Sequence, residues 1–583
     1  MQGNRTGAEA EKWGIAPGYH DVFGSWHAAQ PEIVDALIKC LSAGGATPYR
    51  GQPSGEQQRV FQGDGGRHWG IAVQLYSLRS ARNWGIGDFT DLVALVRRAA
   101  EAGASAIGLN PLHALFLDED AGVSPYAPSS RTFLNPIYID VEAVSEFRPL
   151  DIANLQNRIE TLHVGDLVDY RGVKALKREA LRKAYARFRA QGSGQRRADF
   201  ENFRRERGTA LTRFSCFETL RVRYGASWRE WPQPWRKPDA DAIARLRDEA
   251  DEECGFHEYL QWIADRQLAQ CAAASKAAAM PIGLYLDIAV GVDPSGADAW
   301  SRQDIVLAEV SVGAPPDEFN RAGQNWGLAP FNPHALAQDD FGVFREMLQA
   351  AMRYAGAIRI DHVLGLMRLF FIPIGRPASM GTYVHYPFED LLRVIAEEGQ
   401  RQCCVVIGED LGTVPEGFRD TLAHWGIWAY RVLLFERGEG GAFKPPQDYP
   451  ALALATFNTH DLPTFSGWWS GHDLTVKRGL GIDPGETDEA REQARQALGR
   501  ALELRDFASV AAYLAATPSH LVMVAIEDLL DVADQPNIPG TVDEHPNWRR
   551  KLPVALDDWG RVETFQATTE ALRQARPRRS SPA

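Results

Sequence analysis

The chain of 583 residues contains no run of 18 apolar residues, and its opening MQGNRTGAEAEKWG has no apolar signal core. Neither a membrane span nor an export leader is expected, and a cytoplasmic location is. Cysteine is sparse, with six thiols at 40, 216, 254, 271, 403 and 404, no C-x-x-C pair and no histidines at zinc-finger intervals. That argues against a disulfide framework and a structural zinc, and predicts reduced thiols. There is no G-x-G-x-x-G running from a strand into a helix, no phosphate-binding loop, no lysine setting for pyridoxal phosphate and no evident calcium loop. No cofactor and no metal is therefore expected. A G-x-S-x-G elbow and an H-E-x-x-H helix are also missing, which removes serine hydrolase and zinc protease chemistry. Positive charge is in deficit too: the formal net charge is −13, so nucleic acid is not an expected partner.

What the chain does hold is a supply of flat amphipathic rings, sixteen Trp and sixteen Tyr, which suit sugar faces as well as cores. Five short apolar runs also end in carboxylates: IGLYLD at Asp287, AIRID at Asp361, VVIGED at Glu409 and Asp410, ATFNTHD at Asp461, and VMVAIED at Glu527 and Asp528. Strand-like runs that finish this way imply a parallel barrel whose strand C-termini surround one acidic site.

Eight strand candidates follow in order: IAVQLY (71–76), SAIGLN (105–110), IGLYLD (282–287), GAIRID (356–361), CVVIGE (404–409), YRVLLF (430–435), LALATF (452–457) and LVMVAI (521–526). A helix over 91–103 joins the first two. The predicted fold is α/β, a (β/α)8 TIM barrel with large, mostly helical insertions between strands and a short N-terminal appendage. Residues 1–67 read as that appendage, with an amphipathic helix near Pro31 to Ser42 and a linker from Gly44 to Gly66. The catalytic barrel spans 68–560. Within it, 111–280 reads as a mostly helical subdomain, too long for a loop, and 288–345 as a loop region covering the active site. A C-terminal helix and a disordered basic tail occupy 561–583.

Arg359 and Asp361 alternate on one strand about 7 Å apart, so the guanidinium can reach the carboxylate and keep it ionised, as a nucleophile requires. Alone, the pair also reads as a structural ion pair. Glu409 beside Asp410 has the setting for a raised pKa and proton donation; alone, such acids also serve as helix N-caps. His460 beside Asp461 could be a dyad or a metal site. Taken together, three carboxylates on three strand ends with an Arg and a His form the apparatus of glycoside cleavage. Two flank the scissile bond, and a third stabilises a cationic transition state.

The strings GAIRIDHVLGLMRLFFIP (356–373), VIGEDLGTVPEGF (406–418), ATFNTHDLPT (455–464), SVGAPPDEFNRAGQNWGLAPFNP (311–333) and NIPGTVDEHPNWRRKL (537–552) resemble 4-α-glucanotransferases of the amylomaltase type, glycoside hydrolase family 77. GLYLDIAVGVDPSGADAW (283–300) is similar to the bacterial maltose-utilisation branch. The resemblance covers about residues 70 to 560. It implies Asp361 as catalytic nucleophile, Glu409 as general acid/base and Asp461 as transition-state stabiliser. It implies Asp287, Arg359, His362 and His460 as substrate-binding neighbours, Ser124 and Tyr126 as sugar contacts in SPYAPSS, and Gln324, Asn325 and Trp326 on a mobile loop over the cleft. The implied ligands are maltooligosaccharides, glucose and α-1,4-glucans; no protein partner is indicated. Fewer than 70 residues precede the barrel here, so roles tied to the larger N-terminal region of that branch are not carried over. An α-amylase-like hydrolase and a non-catalytic glucan-binding barrel are the competing readings. The GQNWG and NIPGT strings count against the first, and the intact carboxylates against the second.

Overall fold

The computed structural model describes all residues except 1, 22–23, 52–57, 119–120, 317–322, 413, 503–504 and 579–583. Eight parallel strands close a barrel: β1 His68–Val73, β2 Ala106–Leu109, β3 Gly283–Ile288, β4 Ala357–Ile360, β5 Val405–Gly408, β6 Trp428–Val432, β7 Ala453–Thr456 and β8 Leu521–Ala525. Each pairs with its neighbours in chain order, and β8 closes on β1. The strands are apolar on both faces because one face fills the barrel and the other meets helices. Six of the eight expected runs lie on strands nearly as read. Two are displaced: residues 75–77 and 433–435 form 3-10 turns instead of strand. Leu75, Tyr76 and Leu433 stay buried past the strand ends, so the apolar run outlasts the strand.

Helix α1 (Phe89–Ala102) begins with a reciprocal capping box between Asp88 and Asp91 and ends at Gly103 in the left-handed conformation, the start and stop that fix a barrel helix. The segment after β2 holds three long helices, α2 (Tyr170–Gln191), α3 (Gly194–Tyr224) and α4 (Asp251–Ala277). Its start is not helical, since His113–Ala114 pairs with Ser130–Leu134. Helix α4 packs on α1 and leads directly into β3. It therefore takes the place of the second barrel helix, and the insertion proper ends before it.

The region after β3 is more ordered than a covering loop. Val310–Ala314 and Gln324–Leu328 join Arg368–Pro373 and Thr382–His385, which follow β4, in a four-stranded antiparallel sheet. Residues 317–322 of the expected cover lie outside the described residues. The N-terminal appendage packs on this sheet. Trp13, Ile15, Ile33, Val34, Leu37 and Leu41 cluster with Val310, Val312, Phe371 and Val384, and Ile15 forms a β-bridge to Val384. The helix expected near 31–42 is present as Pro31–Leu41, preceded by a helix over Gln2–Lys12. The Gly44–Gly66 linker is tied down at Val60, which is fully buried and donates its N–H to Trp425 O at 2.9 Å. Leu37 is fully buried, so Leu37→Ala is expected to cost about 2–5 kcal/mol. Urea unfolding checks this, and an unchanged midpoint would place the appendage outside the cooperative fold.

The expected disordered tail is corrected at its start. The helix Glu563–Ala575 is followed by Arg576, which is 2% exposed and donates to the carbonyls of Ala515, His68, Ser519 and Thr517. This arginine ties carbonyls at the N-terminal mouth of the barrel, so it is structural rather than solvated. Residues 579–583 lie outside the described residues.

Candidate active site

Strand register assembles the site. Arg359 on β4 stands opposite Asp287 on β3, and Ile360 stands opposite Gly408 on β5. The next residues, Asp361 and Glu409, therefore leave the barrel side by side. Gly408 is required there: a Cβ would lie 2.9 Å from the Val363 side chain, so a larger residue would push away the turn that follows Asp361. Within that turn His362 takes the left-handed conformation at φ 47°, and its N–H donates to Glu409 Oε2 at 3.0 Å. Leu411 N–H donates to Glu409 Oε1 at 2.8 Å, so both oxygens of Glu409 are held.

Arg359 links the carboxylates. Its Nη1 donates to both oxygens of Asp287 at 2.9 and 2.8 Å. Its Nη2 is 2.8 Å from Asp361 Oδ1 and 4.0 Å from Glu409 Oε2. Asp461 arrives on the long turn after β7. It is fixed from a different part of the chain by Asn537 Nδ2, which donates to its Oδ1 at 2.6 Å, while His460 Nε2 lies 3.3 Å from its Oδ2. Tyr126 closes the ring of contacts, donating to Asp287 Oδ2 at 2.5 Å and lying 3.2 Å from His460 Nδ1. Its ring stacks on His460 at 4.6 Å, and Trp548 packs on both rings.

Burial dominates the electrostatics. Burial pushes Asp361 up to about 6 against the pull of Arg359, with Asp287 and Glu409 adding to the rise. Arg359 favours the ionised form, as read from the sequence, but desolvation is the larger effect on Asp361. Glu409 is also raised, by burial first, with Arg359 and the two N–H donors opposing. Asp461 moves the other way. Burial lifts it, but His460 and Asn537 together bring it below the usual range. His460 is desolvated yet raised, because Asp461 holds its cationic form. Three acids on one rim thus have different proton affinities, the condition for dividing roles among them.

Other expected residues have varied placements. Trp326 lies on the edge strand Gln324–Leu328, its ring edge-on to His362 at 5.2 Å, and its Nε1 donates to Gln324 Oε1 at 3.1 Å. The string read as a mobile loop is thus a strand. Asn325 is exposed, and its amide oxygen accepts from Ser311 Oγ and Gly327 N, which ties it to the sheet rather than the carboxylates. Ser124 Oγ accepts from Tyr126 N at 3.3 Å and so shapes the turn that presents the tyrosine. Asp410, the second acid after β5, belongs to the scaffold: it is buried and held by Arg419, Arg431 and the N–H of Tyr430.

A pocket of about 720 Å³ opens among Asp287, Arg359, Tyr126 and His460. Gln74, Asn110, Tyr285, Tyr430 and Glu527 also line it; of these, sequence reasoning pointed only to Glu527, as one of the strand-end carboxylates. Gln74 Oε1 and Tyr285 Oη are buried without a protein partner among the described residues. Asn537 and Trp548 were missed as site residues although their strings were noticed, because only the tertiary fold returns residues 535–548 to the β7 rim. A mostly apolar pocket with convergent polar groups and displaced proton affinities is the expected form of a small-ligand enzyme site.

Comparison with known proteins agrees. Residues 73–556 match the family model described as 4-alpha-glucanotransferase. A 4-alpha-glucanotransferase of Mycobacterium tuberculosis (strain H37Rv) is 39% identical over 550 residues, covering 88% of this chain and 75% of that protein. A 4-alpha-glucanotransferase of Haemophilus influenzae is 38% identical over 530 residues, covering 84% and 76%. The crystal structure of amylomaltase from Corynebacterium glutamicum superposes with a TM-score of 0.84 at 26% identity, covering 98% of this chain and 99% of that one.

Proposed function

The chain belongs to the 4-alpha-glucanotransferase family, glycoside hydrolase family 77, and from that membership and the rim geometry we propose that Asp361, Glu409 and Asp461 carry out transfer of α-1,4-glucan segments between chains. The donor is a maltooligosaccharide, and the acceptor is glucose or another α-1,4-glucan. The supporting observation is the Arg359 guanidinium, which brings Asp287, Asp361 and Glu409 to one point on the rim.

In the first step Asp361 attacks C1 of the donor sugar while Glu409 gives its proton to the departing oxygen, leaving a glycosyl ester on Asp361. In the second, ionised Glu409 takes the proton of an incoming 4-hydroxyl as that oxygen attacks C1 and releases Asp361. One α-1,4 link is broken and another formed. Asp461, kept anionic by His460 and Asn537, stabilises positive charge developing on the sugar ring. A Glu409 raised by burial suits both halves of the cycle. Water at about 55 M competes as acceptor, so the sugar must be held better than solvent. We assign that task to Tyr126 and the strand bearing Trp326, on the contacts of Tyr126 with Asp287 and His460 and of Trp326 with His362.

The test is a single pure substrate. Maltotriose is expected to give glucose and a ladder of longer maltodextrins; steady growth of reducing ends without longer chains would overturn transfer in favour of hydrolysis.

The pH profile follows from the same groups. Asp361 must be ionised, so kcat/KM is expected to fall about tenfold per unit as pH drops below about 6. Glu409 must be protonated, so the alkaline arm should lie above the ordinary carboxylate range. The arms belong to the pair, since the two acids interact. An acid arm near 4, the unperturbed carboxylate value, would contradict the desolvated site.

A further inference from the structure

A second pocket of about 730 Å³, open to solvent, lies among α2, α3 and α4 of the inserted region and shares no lining residue with the active-site pocket. Arg182 comes from α2, Glu218 and Arg221 from α3, Phe256 and His257 from α4, and Asp118 from the segment before them. These side chains are not those of an inert void. Glu218 is 3% exposed and His257 4%, yet Glu218 Oε1 and both ring nitrogens of His257 have no hydrogen-bond partner among the described residues. Buried polar atoms are ordinarily satisfied, and leaving one unpaired costs about 1–3 kcal/mol. Three in one chamber point to an occupant.

The chemistry of the walls selects it. Arg182 lies over the Phe256 ring at 4.2 Å and forms no hydrogen bond with a described residue. The residue is solvent-exposed; partial burial of its guanidinium and then Arg178 push it below its ordinary value, against Glu253 and Glu252. Arg221 is engaged by partners of its own: its Nε donates to Asp118 Oδ2 at 2.6 Å, its Nη1 donates to Ala226 O, and its guanidinium lies over the Phe116 ring. Burial, opposed by Arg221 and assisted by Asp118, raises Glu218 to about 8, so at neutral pH it offers an O–H. Burial and then Arg182 bring His257 down to about 3, so the ring is neutral and offers one N–H. The chamber therefore presents one cation, Arg182, and two neutral donors, Glu218 and His257, that have no hydrogen-bond partner among the described residues.

We propose that this chamber binds a phosphate group, free or carried on a small sugar, at a site separate from the glucan cleft. The guanidinium of Arg182 would meet two phosphate oxygens, with Glu218 and His257 donating to the third.

The test titrates the whole protein with inorganic phosphate and with glucose 6-phosphate, following thermal midpoint and 31P line width, on wild type, Arg182→Met and Arg182→Lys. Both ligands, or the sugar phosphate alone, are expected to raise the wild-type midpoint. Arg182→Met should weaken that binding by about tenfold or more, and Arg182→Lys by less. Transfer from maltotriose without phosphate should be unchanged in both variants, which certifies that they fold. A tighter response to the sugar phosphate would identify the phosphate as sugar-borne, and equal responses as free. No response to either ligand, or the same response in wild type and Arg182→Met, would overturn the proposal.

Discussion

Asp361→Ala is expected to lower kcat/KM for transfer from maltotriose by at least about 10⁴-fold while leaving glucan binding in place. On the proposed mechanism the variant removes the carboxylate that holds the sugar between the two half-reactions. The scaffold around it survives, because Arg359 keeps both hydrogen bonds to Asp287 and the lost carboxylate was costly to bury. Initial rates and a binding isotherm for the same maltooligosaccharide check the two halves separately. Activity within tenfold of wild type would remove Asp361 from the role.

Glu409→Ala is expected to lose about 10²–10⁴-fold on maltotriose but to retain the first step on α-maltosyl fluoride, whose leaving group needs no proton. The glycosyl ester should then accumulate, since no base activates the acceptor. Azide, which attacks without losing a proton, should restore turnover and yield the α-glycosyl azide. Ala is the better choice than Gln, because both Glu409 oxygens accept from backbone N–H groups and an amide nitrogen would set donor against donor. A β-azide product, or equal losses on both donors, would contradict the acid/base assignment.

The barrel was legible because each of its strands is a short apolar run bounded by polar turns, and because acids recur where those runs stop. Arg359, Asp361 and Glu409 were legible for the same reason: adjacent strands in register carry consecutive motif residues to one place. What escaped belongs to longer-range geometry. RLFFIP and QNWGL were noticed as motif strings, not as strands, since an antiparallel sheet drawn from two separate insertions leaves no local period to read. Asn537 and Trp548 act on Asp461 and His460 only after the chain has returned across the barrel mouth. Asp410 shows the converse. It stands next to Glu409 at the same strand end, yet its side chain turns to Arg419 and Arg431, a distinction set by side-chain direction.

The covalent intermediate is the most direct test of the account. A 5-fluoroglycosyl fluoride of the α-gluco series should inactivate the protein with the mass increment of one fluorosugar, and peptide mapping should place it on Asp361. An increment on Glu409 or Asp461, or continued turnover at unchanged protein mass, would contradict the convergence of the three carboxylates on one glucosidic bond with Asp361 as nucleophile.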